Sequence, residues 1–314
     1  MLNNIKQLLK KTFLYRIYRW LLRQEGKWFP ALKAKREYKK IFRKKLNLHN
    51  PQLFTEKINW LKLYYYPNDH LAILAGDKWG LHSFLEMKGL AEIASPILYA
   101  FDSVEEICWK SLPNKFVIKK SNASAFNIVI RDKEKADELE VINTVKRWMK
   151  IPFGYQAGEH HYEKMQPKII IEKYIEDVGK EWRLWCINGK PEILMTVHWN
   201  EEDQTNIKVG HLKRGLIYSN LEGVILDVRD HDIDEVKKSY VVGEKLELPI
   251  DLSEMIELSK VLSEGFPFVR VDFFHGEGRL ILGELTFTAA GGFGKYIQSI
   301  EEEFGEKLIL PRLK

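Results

Sequence analysis

The residues best suited to chemistry lie near the C-terminus, in two runs of alternating apolar and polar side chains. These runs are Phe268–Phe274 and Leu280–Phe287, and the glycine-containing segment His275–Gly278 separates them. A period of two is typical of β-strands, and the short connection predicts that the two strands form a hairpin. The polar side chains of the pair are Arg270, Asp272, Glu284 and Thr286.

The length of the hairpin turn decides whether these polar side chains share one face of the sheet. If Gly276–Gly278 forms a three-residue loop, Arg270 lies opposite Glu284 and Asp272 lies opposite Leu282. All four polar side chains then share a face, whereas an even-numbered loop would place the two carboxylates on opposite faces. We predict the three-residue loop, with an apolar second face formed by Val269, Val271, Phe273, Ile281, Leu285 and Phe287.

Two carboxylates and an arginine on one face suit a hard divalent cation that bridges phosphate groups. Mg²⁺ binds oxygen ligands, and it commonly keeps one or two carboxylates together with phosphate oxygens. A guanidinium group binds a phosphoryl group through paired hydrogen bonds. The pattern alone fits an ordinary surface ion pair equally well, with Arg270 bound to Asp272 or to Glu284.

The elements that must position these residues are predicted to form an α+β fold with antiparallel sheets. Residues 51–112 have mainly helical periodicity, two further helices are predicted at about 133–150 and 252–264, and 151–167 reads as a loop. Short strands in hairpin pairs follow residue 112 and favour this fold class. The strand-like runs are Phe116–Lys119, Ile128–Ile130, Ile169–Ile175, Trp182–Ile187, Ile193–Trp199, Val224–Val228, Phe268–Phe274 and Leu280–Phe287.

The composition is that of an ordinary globular protein. The 314 residues are 45% hydrophobic and 30% charged, which excludes a disordered chain. Cys108 and Cys186 lack any framework spacing, so we expect no structural disulfide. No apolar run reaches the ~18 residues that a transmembrane helix needs, and we expect a cytoplasmic protein.

The first 50 residues form a strongly basic segment. They contain fifteen Lys or Arg against two Glu, and apolar residues recur at helical spacing from Leu2 to Trp28. This pattern fits either a solvated helix face or a helix that lies on an anionic membrane, which would place the protein on the inner face of the cell membrane. We expect no nucleic-acid binding, because no DNA- or RNA-binding motif accompanies the charge.

Six motifs in a fixed order give the chain a family resemblance. Over residues 50–296 it resembles the ATP-grasp superfamily and, within it, the TupA-like branch, which is named for teichuronopeptide biosynthesis. Each motif is weak by itself, and their order is what makes the resemblance specific. The motifs are Phe54–Leu61, Gly76–Trp79, Leu112–Lys119, Ile169–Ile175, Phe266–Asp272 and Gly283–Thr288.

The resemblance implies an ATP-grasp fold, in which two antiparallel-sheet subdomains enclose a nucleotide. It divides the chain into a basic amphipathic helical arm (1–50), a mainly helical region (51–112), a subdomain covering the nucleotide (113–180) and a subdomain with the metal site (181–314). The implied cofactors are ATP and Mg²⁺.

The resemblance also implies roles for individual residues. Asp272, Glu284 and Thr286 would bind the metal, and Arg270, Lys119 and Arg183 would act in catalysis. Many ATP-grasp enzymes have Asn where this chain has Thr286. The implied nucleotide-binding residues are Lys78, Lys119, Ser124, Asn127, Glu172, Lys173, Tyr174, Ile175 and Glu181.

One segment departs from the family pattern. Relatives have a Gly-rich loop after the second lysine, and this chain instead has Asn-Ala-Ser-Ala-Phe-Asn at Asn122–Asn127. Glycine allows backbone N–H groups to approach phosphates closely, and alanine and phenylalanine restrict that approach. Either Ser124 and Asn127 donate from their side chains, or the protein binds ATP poorly.

The expected function is that of an ATP-dependent carboxylate–amine ligase in cell-surface polysaccharide biosynthesis. By family analogy, a uronic-acid carboxylate of an anionic glycan would be activated as an acyl phosphate and joined to an amine or amino acid. A kinase, a glycosyltransferase of the same pathway and a degenerate protein without catalysis remain alternatives. His160, His161 and Glu163 suggest zinc by residue type, but a polar loop explains them better.

Overall fold

The computed structural model describes residues 13–176, 180–199, 207–209, 214–228, 241–294, 297 and 299–313. Helices dominate the N-terminal part, and strands dominate from residue 97 onward. The helices are α1 (Phe13–Trp28), α2 (Pro30–Phe42), α3 (Phe54–Trp60), α4 (His70–Gly76), α5 (Gly80–Lys88), α6 (Glu138–Met149), α7 (Phe153–Ala157), α8 (Leu252–Ser263) and α9 (Glu301–Lys307).

The strands form two five-stranded antiparallel sheets. The strands are β1 (Ile97–Phe101), β2 (Phe116–Lys120), β3 (Asn127–Ile130), β4 (Ile169–Lys173), β5 (Glu181–Ile187), β6 (Lys190–Trp199), β7 (Ile207–Val209), β8 (Arg214–Ser219), β9 (Phe268–Gly276) and β10 (Arg279–Thr286). The first sheet has the order β1-β4-β2-β3-β7, and the second has the order β10-β9-β5-β6-β8.

The first sheet is covered by α6. Val141, Val145 and Trp148 recur at helical spacing, and they pack against the apolar side chains of β2, β3 and β4. Asp137 begins the helix by accepting a hydrogen bond from the N–H of Glu140. Strand β2 alternates buried and half-buried residues, so its other face is left for polar residues such as Lys119.

The second sheet lies at the centre of the larger core. Trp185 of β5 stacks on Phe54 of α3, and both rings contact Phe268 of β9. Helix α8 contributes Met255 and Leu262 to the same core. The helical N-terminal region is therefore part of the core that supports the polar face of this sheet.

The β9–β10 hairpin has a different turn from the predicted one, but its polar side chains share one face as predicted. The turn has two residues, Glu277 and Gly278, both in the left-handed region with φ of 54° and 73°. The predicted three-residue loop is wrong. A β-bulge between Leu282 and Glu284 inserts one extra residue, so Asp272 lies opposite Glu284.

The bulge changes three details of the predicted pairing. Arg270 lies opposite Thr286 and not opposite Glu284. Ile281 lies opposite Phe274, on the polar side of the hairpin, and the predicted apolar face therefore loses this residue. The shared face of Arg270, Asp272, Glu284 and Thr286 is nevertheless present, because the extra residue compensates for the even-numbered turn.

Other elements depart from the sequence-based prediction at their boundaries. The first sheet takes β1 and β7 from outside residues 113–180. Val224–Val228 forms isolated bridges and no strand, since only Val224 and Ile225 are paired. The segment 151–167 contains α7 and the helical turn His160–Lys164. Among the described helices, none has both the length and the hydrophobicity needed to cross a bilayer.

Candidate active site

A cavity of about 230 Å³ lies where the two sheets face each other. The first sheet contributes residues from β2 and β3, and the second contributes residues from β5, β9 and β10. Eight of the predicted site residues line this cavity: Lys78, Lys119, Ser124, Asn127, Glu181, Arg183, Asp272 and Glu284. Three further lining residues belong to the segment that departs from the family pattern: Ala123, Ala125 and Phe126. The sequence assigned no role to the last two, Phe274 and Gly283.

A larger cavity of about 640 Å³ lies elsewhere, beside α5 and the outer edge of β1. It is lined by residues such as Trp79, His82, Tyr99 and Arg279, and it contains none of the predicted site residues. The smaller cavity is the candidate active site, because it combines carboxylates, lysines and arginines in one place.

Arg270 joins the oxygen atoms of three side chains on the polar face of the hairpin. Its Nε lies 2.6 Å from Oδ1 of Asp272, and its Nη2 lies 3.1 Å from Oε1 of Glu284 and 3.0 Å from Oγ1 of Thr286. Thr286 also donates to Oε1 of Glu284 at 3.1 Å. Carboxylate and hydroxyl oxygens therefore converge on one positively charged group.

The two carboxylates have opposite electrostatic environments. Burial raises the pKa of Asp272 to about 6, against the opposing effect of Arg270 and Arg183. Burial also disfavours the charged form of Glu284, but Lys78, Arg270 and Arg183 outweigh it and hold its pKa well below the usual range. Glu284 is the more exposed of the two, with a third of its side chain accessible.

This donor set fits a hard divalent cation. Asp272 is 2% exposed, and the free-energy cost of burying its charge is offset by the neighbouring cations. Mg²⁺ prefers oxygen ligands of this type, with one or two carboxylates from the protein. Asp272 and Glu284 would hold the ion, and Thr286 offers a third oxygen beside Glu284.

Arg183 supports the carboxylate pair from β5. Its Nε lies 3.3 Å from Oδ2 of Asp272 and 2.5 Å from Oε1 of Glu181. Strand β5 pairs with β9, and Arg183 lies directly opposite Asp272 in that register. Three adjacent strands thus place Arg183, Asp272 and Glu284 in one row across the sheet.

Lys78 reaches the carboxylates from the helical region. Its Nζ donates to the carbonyl of Ala123 at 2.9 Å and lies 3.7 Å from Oε2 of Glu284. Its backbone N–H donates to the carbonyl of Ser121. The neighbouring Asp77 is buried and accepts from the N–H of Gly80, which fixes the start of α5. Lys78 therefore connects the 122–127 segment to the hairpin.

Lys119 occupies the first-sheet side of the cavity through an ion pair with Glu172. The two groups are 2.6 Å apart, and Glu172 is buried and also accepts from the hydroxyl of Ser95. The family resemblance implied that Glu172 binds the nucleotide, without a separate role for its side chain. In the structure this side chain orients Lys119, a contribution that strand periodicity alone does not reveal.

The predicted nucleotide-binding residues that directly follow Glu172 lie at the end of β4 and do not line the cavity. Lys173 pairs with Glu277 in the hairpin turn, at 2.8 Å. Ile175 packs on Gly276, where a Cβ atom would lie 2.1 Å from the Ile175 Cγ2. Tyr174 lies beside Lys115, whose Nζ is 5.8 Å from the ring centre. The end of β4 is therefore in direct contact with the β9–β10 hairpin.

The 122–127 segment is held in place by its side chains. The amide of Asn122 donates to the carbonyl of Tyr162 at 3.0 Å, and the Phe126 ring packs edge-on against Trp148 and Phe153. Ala125 adopts the left-handed region with φ of 66°, a conformation that glycine adopts without steric cost. Ser124 and Asn127 line the cavity, as the side-chain donor hypothesis requires.

The His160–Glu163 segment has a structural explanation. His160 contacts the carbonyl of Gly26 through Nε2 at 2.6 Å, and Glu163 accepts from the N–H of Gly154 at 2.6 Å. His161 is buried against Tyr66 and Tyr162, so the predicted polar loop is wrong at this residue. Within the described residues, no group of three or more His, Cys, Asp or Glu could hold a metal ion.

The family model of the TupA-like ATP-grasp proteins matches residues 56–208 and 218–309, which is most of the chain. The chain belongs to the TupA-like ATP-grasp family. Both sheets and the cavity between them lie within the matched ranges. Membership confirms the predicted fold and, with it, ATP and Mg²⁺ as the cofactors.

Solved structures with a related fold are ligases. A D-alanine–D-alanine ligase from Bacillus anthracis complexed with ATP is 17% identical, with a TM-score of 0.45, over 76% of this chain and 66% of that one. VanG D-Ala:D-Ser ligase from Enterococcus faecalis is 16% identical, with a TM-score of 0.41, over 76% and 62% of the two chains. An L-amino acid ligase from Bacillus licheniformis is 15% identical, with a TM-score of 0.40, over 72% and 44%.

The TupA-like chain spans two thirds or less of the length of these solved ligases. No functionally curated protein matches it in sequence.

Proposed function

We propose that this protein is an ATP-dependent carboxylate–amine ligase that acts in cell-surface polysaccharide biosynthesis. Its substrates would be a uronic-acid carboxylate of an anionic glycan and an amine or amino acid. The observation that carries the proposal is the position of Glu284 opposite Asp272, within a cavity that Lys78 and Lys119 also line. Membership of the TupA-like ATP-grasp family supports the same reaction class.

In the proposed reaction ATP is consumed as a substrate. An oxygen of the uronic-acid carboxylate attacks the γ-phosphorus, and ADP leaves with the bonding electrons. The amine then attacks the acyl carbon and loses a proton, and inorganic phosphate leaves as the amide forms. Asp272 and Glu284 would hold Mg²⁺, which would supply positive charge that offsets the charge of the polyphosphate.

The side chains of the cavity would position the phosphates and stabilise the developing charge. Lys119 approaches from β2 and Lys78 from the start of α5, so two ammonium groups face the cavity from different elements. Arg270 and Arg183 lie beside the carboxylate pair, where they can bind the transferred phosphoryl group.

The charge of the cavity predicts that ATP binds only together with Mg²⁺. Each arginine is paired with at least one carboxylate, and Lys119 is paired with Glu172. ATP without a metal ion would therefore be repelled by these carboxylates. The arginine and lysine side chains that its phosphates need would already be bound to them. A divalent cation on Asp272 and Glu284 removes this repulsion.

The test uses the purified protein with ATP, Mg²⁺ and glucuronic or galacturonic acid, with and without amino acids. A ligase forms ADP only when carboxylate and amine are both present, and mass spectrometry detects the amide. ADP formation with a hydroxyl-bearing acceptor alone indicates a kinase. Consumption of a sugar nucleotide, without ATP binding or turnover, would exclude the ligase.

Two variants place the reaction at the proposed site. Glu284→Gln and Asp272→Asn are expected to lower ADP formation at least about 100-fold, because each removes a charge that the metal requires. Glu264→Gln is the matched control, since Glu264 is exposed and pairs only with Lys88 among the ion pairs of the described residues. Equal ADP formation in Glu284→Gln and Glu264→Gln would exclude this site.

A further inference from the structure

The N-terminal helices carry an apolar stripe that points away from the protein body. In α1, Ile17, Trp20, Leu21 and Trp28 fall on one side of the helix, at positions i, i+3, i+4 and i+11. These four side chains are 38%, 55%, 53% and 65% exposed. Large apolar side chains grouped on one helix face mark an interaction surface, whereas single exposed ones do not.

The opposite side of α1 is already packed against the body. Gly26 lies so close to α7 that a Cβ atom there would approach the carbonyl oxygen of Tyr155 to 1.9 Å. The carbonyl of Gly26 also contacts His160. Helix α1 is therefore fixed by its Gly26 side, and the stripe on the other side is left facing solvent.

A bend between α1 and α2 extends the exposed apolar surface. Lys33 donates to the carbonyl of Leu22, and Arg36 pairs with Glu25, so these contacts lie on the inside of the bend. Trp28, Phe29 and Leu32 are each at least 60% exposed, which places them on the outside. The apex of the bend is thus formed by two aromatic rings and a leucine.

Basic side chains surround this apex. Lys35 and Lys39 are exposed on α2 and share one side with Leu32, at positions i+3 and i+7. Residues 13–50 contain twelve Lys or Arg and two Glu. Both acids of this segment, Glu25 and Glu37, are paired with Arg36, and the net charge of the segment stays strongly positive.

We propose that α1 and α2 form a docking surface for an anionic lipid bilayer, with the apex Trp28–Phe29–Leu32 and the α1 stripe in the headgroup region. Tryptophan and other large apolar residues flanked by Lys and Arg are typical of helices that lie in this interface. Self-association is the other way to cover the stripe, but it would bring together two strongly basic segments. This proposal does not depend on the ligase reaction.

The test measures co-sedimentation of the full-length, untagged protein with vesicles. Vesicles of phosphatidylcholine with 30% phosphatidylglycerol are compared with vesicles of pure phosphatidylcholine at low and high salt. We expect binding at least tenfold stronger to the anionic vesicles, and weaker binding at high salt. Equal binding to both compositions, or binding to neither, overturns the proposal.

Two sets of variants test the residues. Trp28→Ser with Phe29→Ser is expected to weaken binding at least tenfold, and Met87→Ser with Leu139→Ser, which are about equally exposed on the body, is expected to leave it unchanged. Lys35→Glu with Lys39→Glu should weaken binding more than tenfold, because each cation near an anionic surface contributes roughly fivefold. Lys110→Glu with Lys245→Glu has the same change in net charge and should have a much smaller effect.

Light scattering distinguishes the two candidate occupants of the stripe, a lipid bilayer and a second copy of the protein. A monomer that becomes membrane-bound supports the proposal. A dimer that Trp28→Ser with Phe29→Ser converts to a monomer, without any change in vesicle binding, assigns the stripe to a second copy and overturns it. Thermal unfolding of each variant confirms that the body remains folded.

Discussion

Glu284 lies directly across the β9–β10 hairpin from Asp272, although the two-residue turn by itself would pair Asp272 with Gly283. The extra residue in β10 shifts the register by one after Leu282. Because side chains alternate between faces, this single shift moves Glu284 from the apolar face to the polar face. The proposed metal site therefore depends on the bulge as much as on the two carboxylates.

Insertion of an alanine between Gly283 and Glu284 is expected to abolish ADP formation. With one more residue after the bulge, Glu284 would lie opposite Val271, which is fully buried in the core, and the carboxylate would be forced toward apolar neighbours. The free energy of unfolding should fall by several kcal/mol, since an unpaired buried charge is costly. Enzyme assays and urea unfolding measure both effects.

The matched control is Gly283→Ala, which keeps the number of residues. A Cβ atom at this position would lie 3.4 Å from the carbonyl oxygen of Asp272 and from the Phe274 ring, a tight but tolerable contact. We expect a change in unfolding free energy below about 1 kcal/mol and preserved activity. An insertion variant as active as Gly283→Ala would contradict the importance of this register.

The contact between Ile175 and Gly276 should be visible in a double-mutant cycle. Gly276→Ala is expected to destabilise the protein by about 1–3 kcal/mol, because the new Cβ would overlap Ile175 Cγ2. Ile175→Ala removes this Cγ2 atom. Gly276→Ala should therefore destabilise the Ile175→Ala variant less than it destabilises the wild type. The double variant should therefore be more stable than the sum of the single effects by about 1 kcal/mol or more. Strict additivity in urea unfolding would show that the two residues do not touch.

Ala125→Gly is expected to relieve backbone strain in the 122–127 segment, which departs from the family pattern. Ala125 has a left-handed backbone that costs an L-residue roughly 1–2 kcal/mol, and glycine removes this cost while adding unfolded-state entropy. We expect unchanged or slightly higher stability and tighter ATP binding, measured by calorimetry. Ala123→Gly is the control, since Ala123 is buried with ordinary φ and should lose about 1 kcal/mol. Weaker ATP binding by Ala125→Gly would contradict the strain argument.

His161 should make the protein sensitive to mild acid. Burial, reinforced by Lys62 and His160, lowers its pKa from 6.5 to about 3. Below pH 6.5 the unfolded chain therefore binds a proton that the folded protein excludes, and the free energy of unfolding falls as the pH falls. Between pH 6.5 and 5 this residue alone should account for about 2 kcal/mol.

The measurement is urea unfolding at pH 7 and pH 5. His161→Phe keeps an aromatic ring beside Tyr66 and Tyr162, and its stability should depend less on pH than that of the wild type. An identical pH dependence in His161→Phe and the wild type would show that His161 is protonated in the folded state.

The sequence by itself determined which residues could form the site. The alternation along Val269–Phe273 is enough to predict a strand, and it sorts Arg270 and Asp272 from their apolar neighbours because the side-chain period of a strand is two. The order of the motifs carried the family and the fold, which the family model confirms. Lys78, Lys119, Asp272 and Glu284 were all named from these signals, and all four line one cavity.

Only the tertiary structure decided how these residues meet. The bulge at Gly283 has no signal in the alternation pattern, because the pattern does not reveal which residue of a strand lacks a partner on the next one. The pairing of Lys119 with Glu172, and the approach of Lys78 to Glu284, join segments far apart in the chain. The burial and the charge of each site residue depend on such distant neighbours. Local sequence therefore fixes the chemistry of each side chain, while packing determines its partner and its pKa.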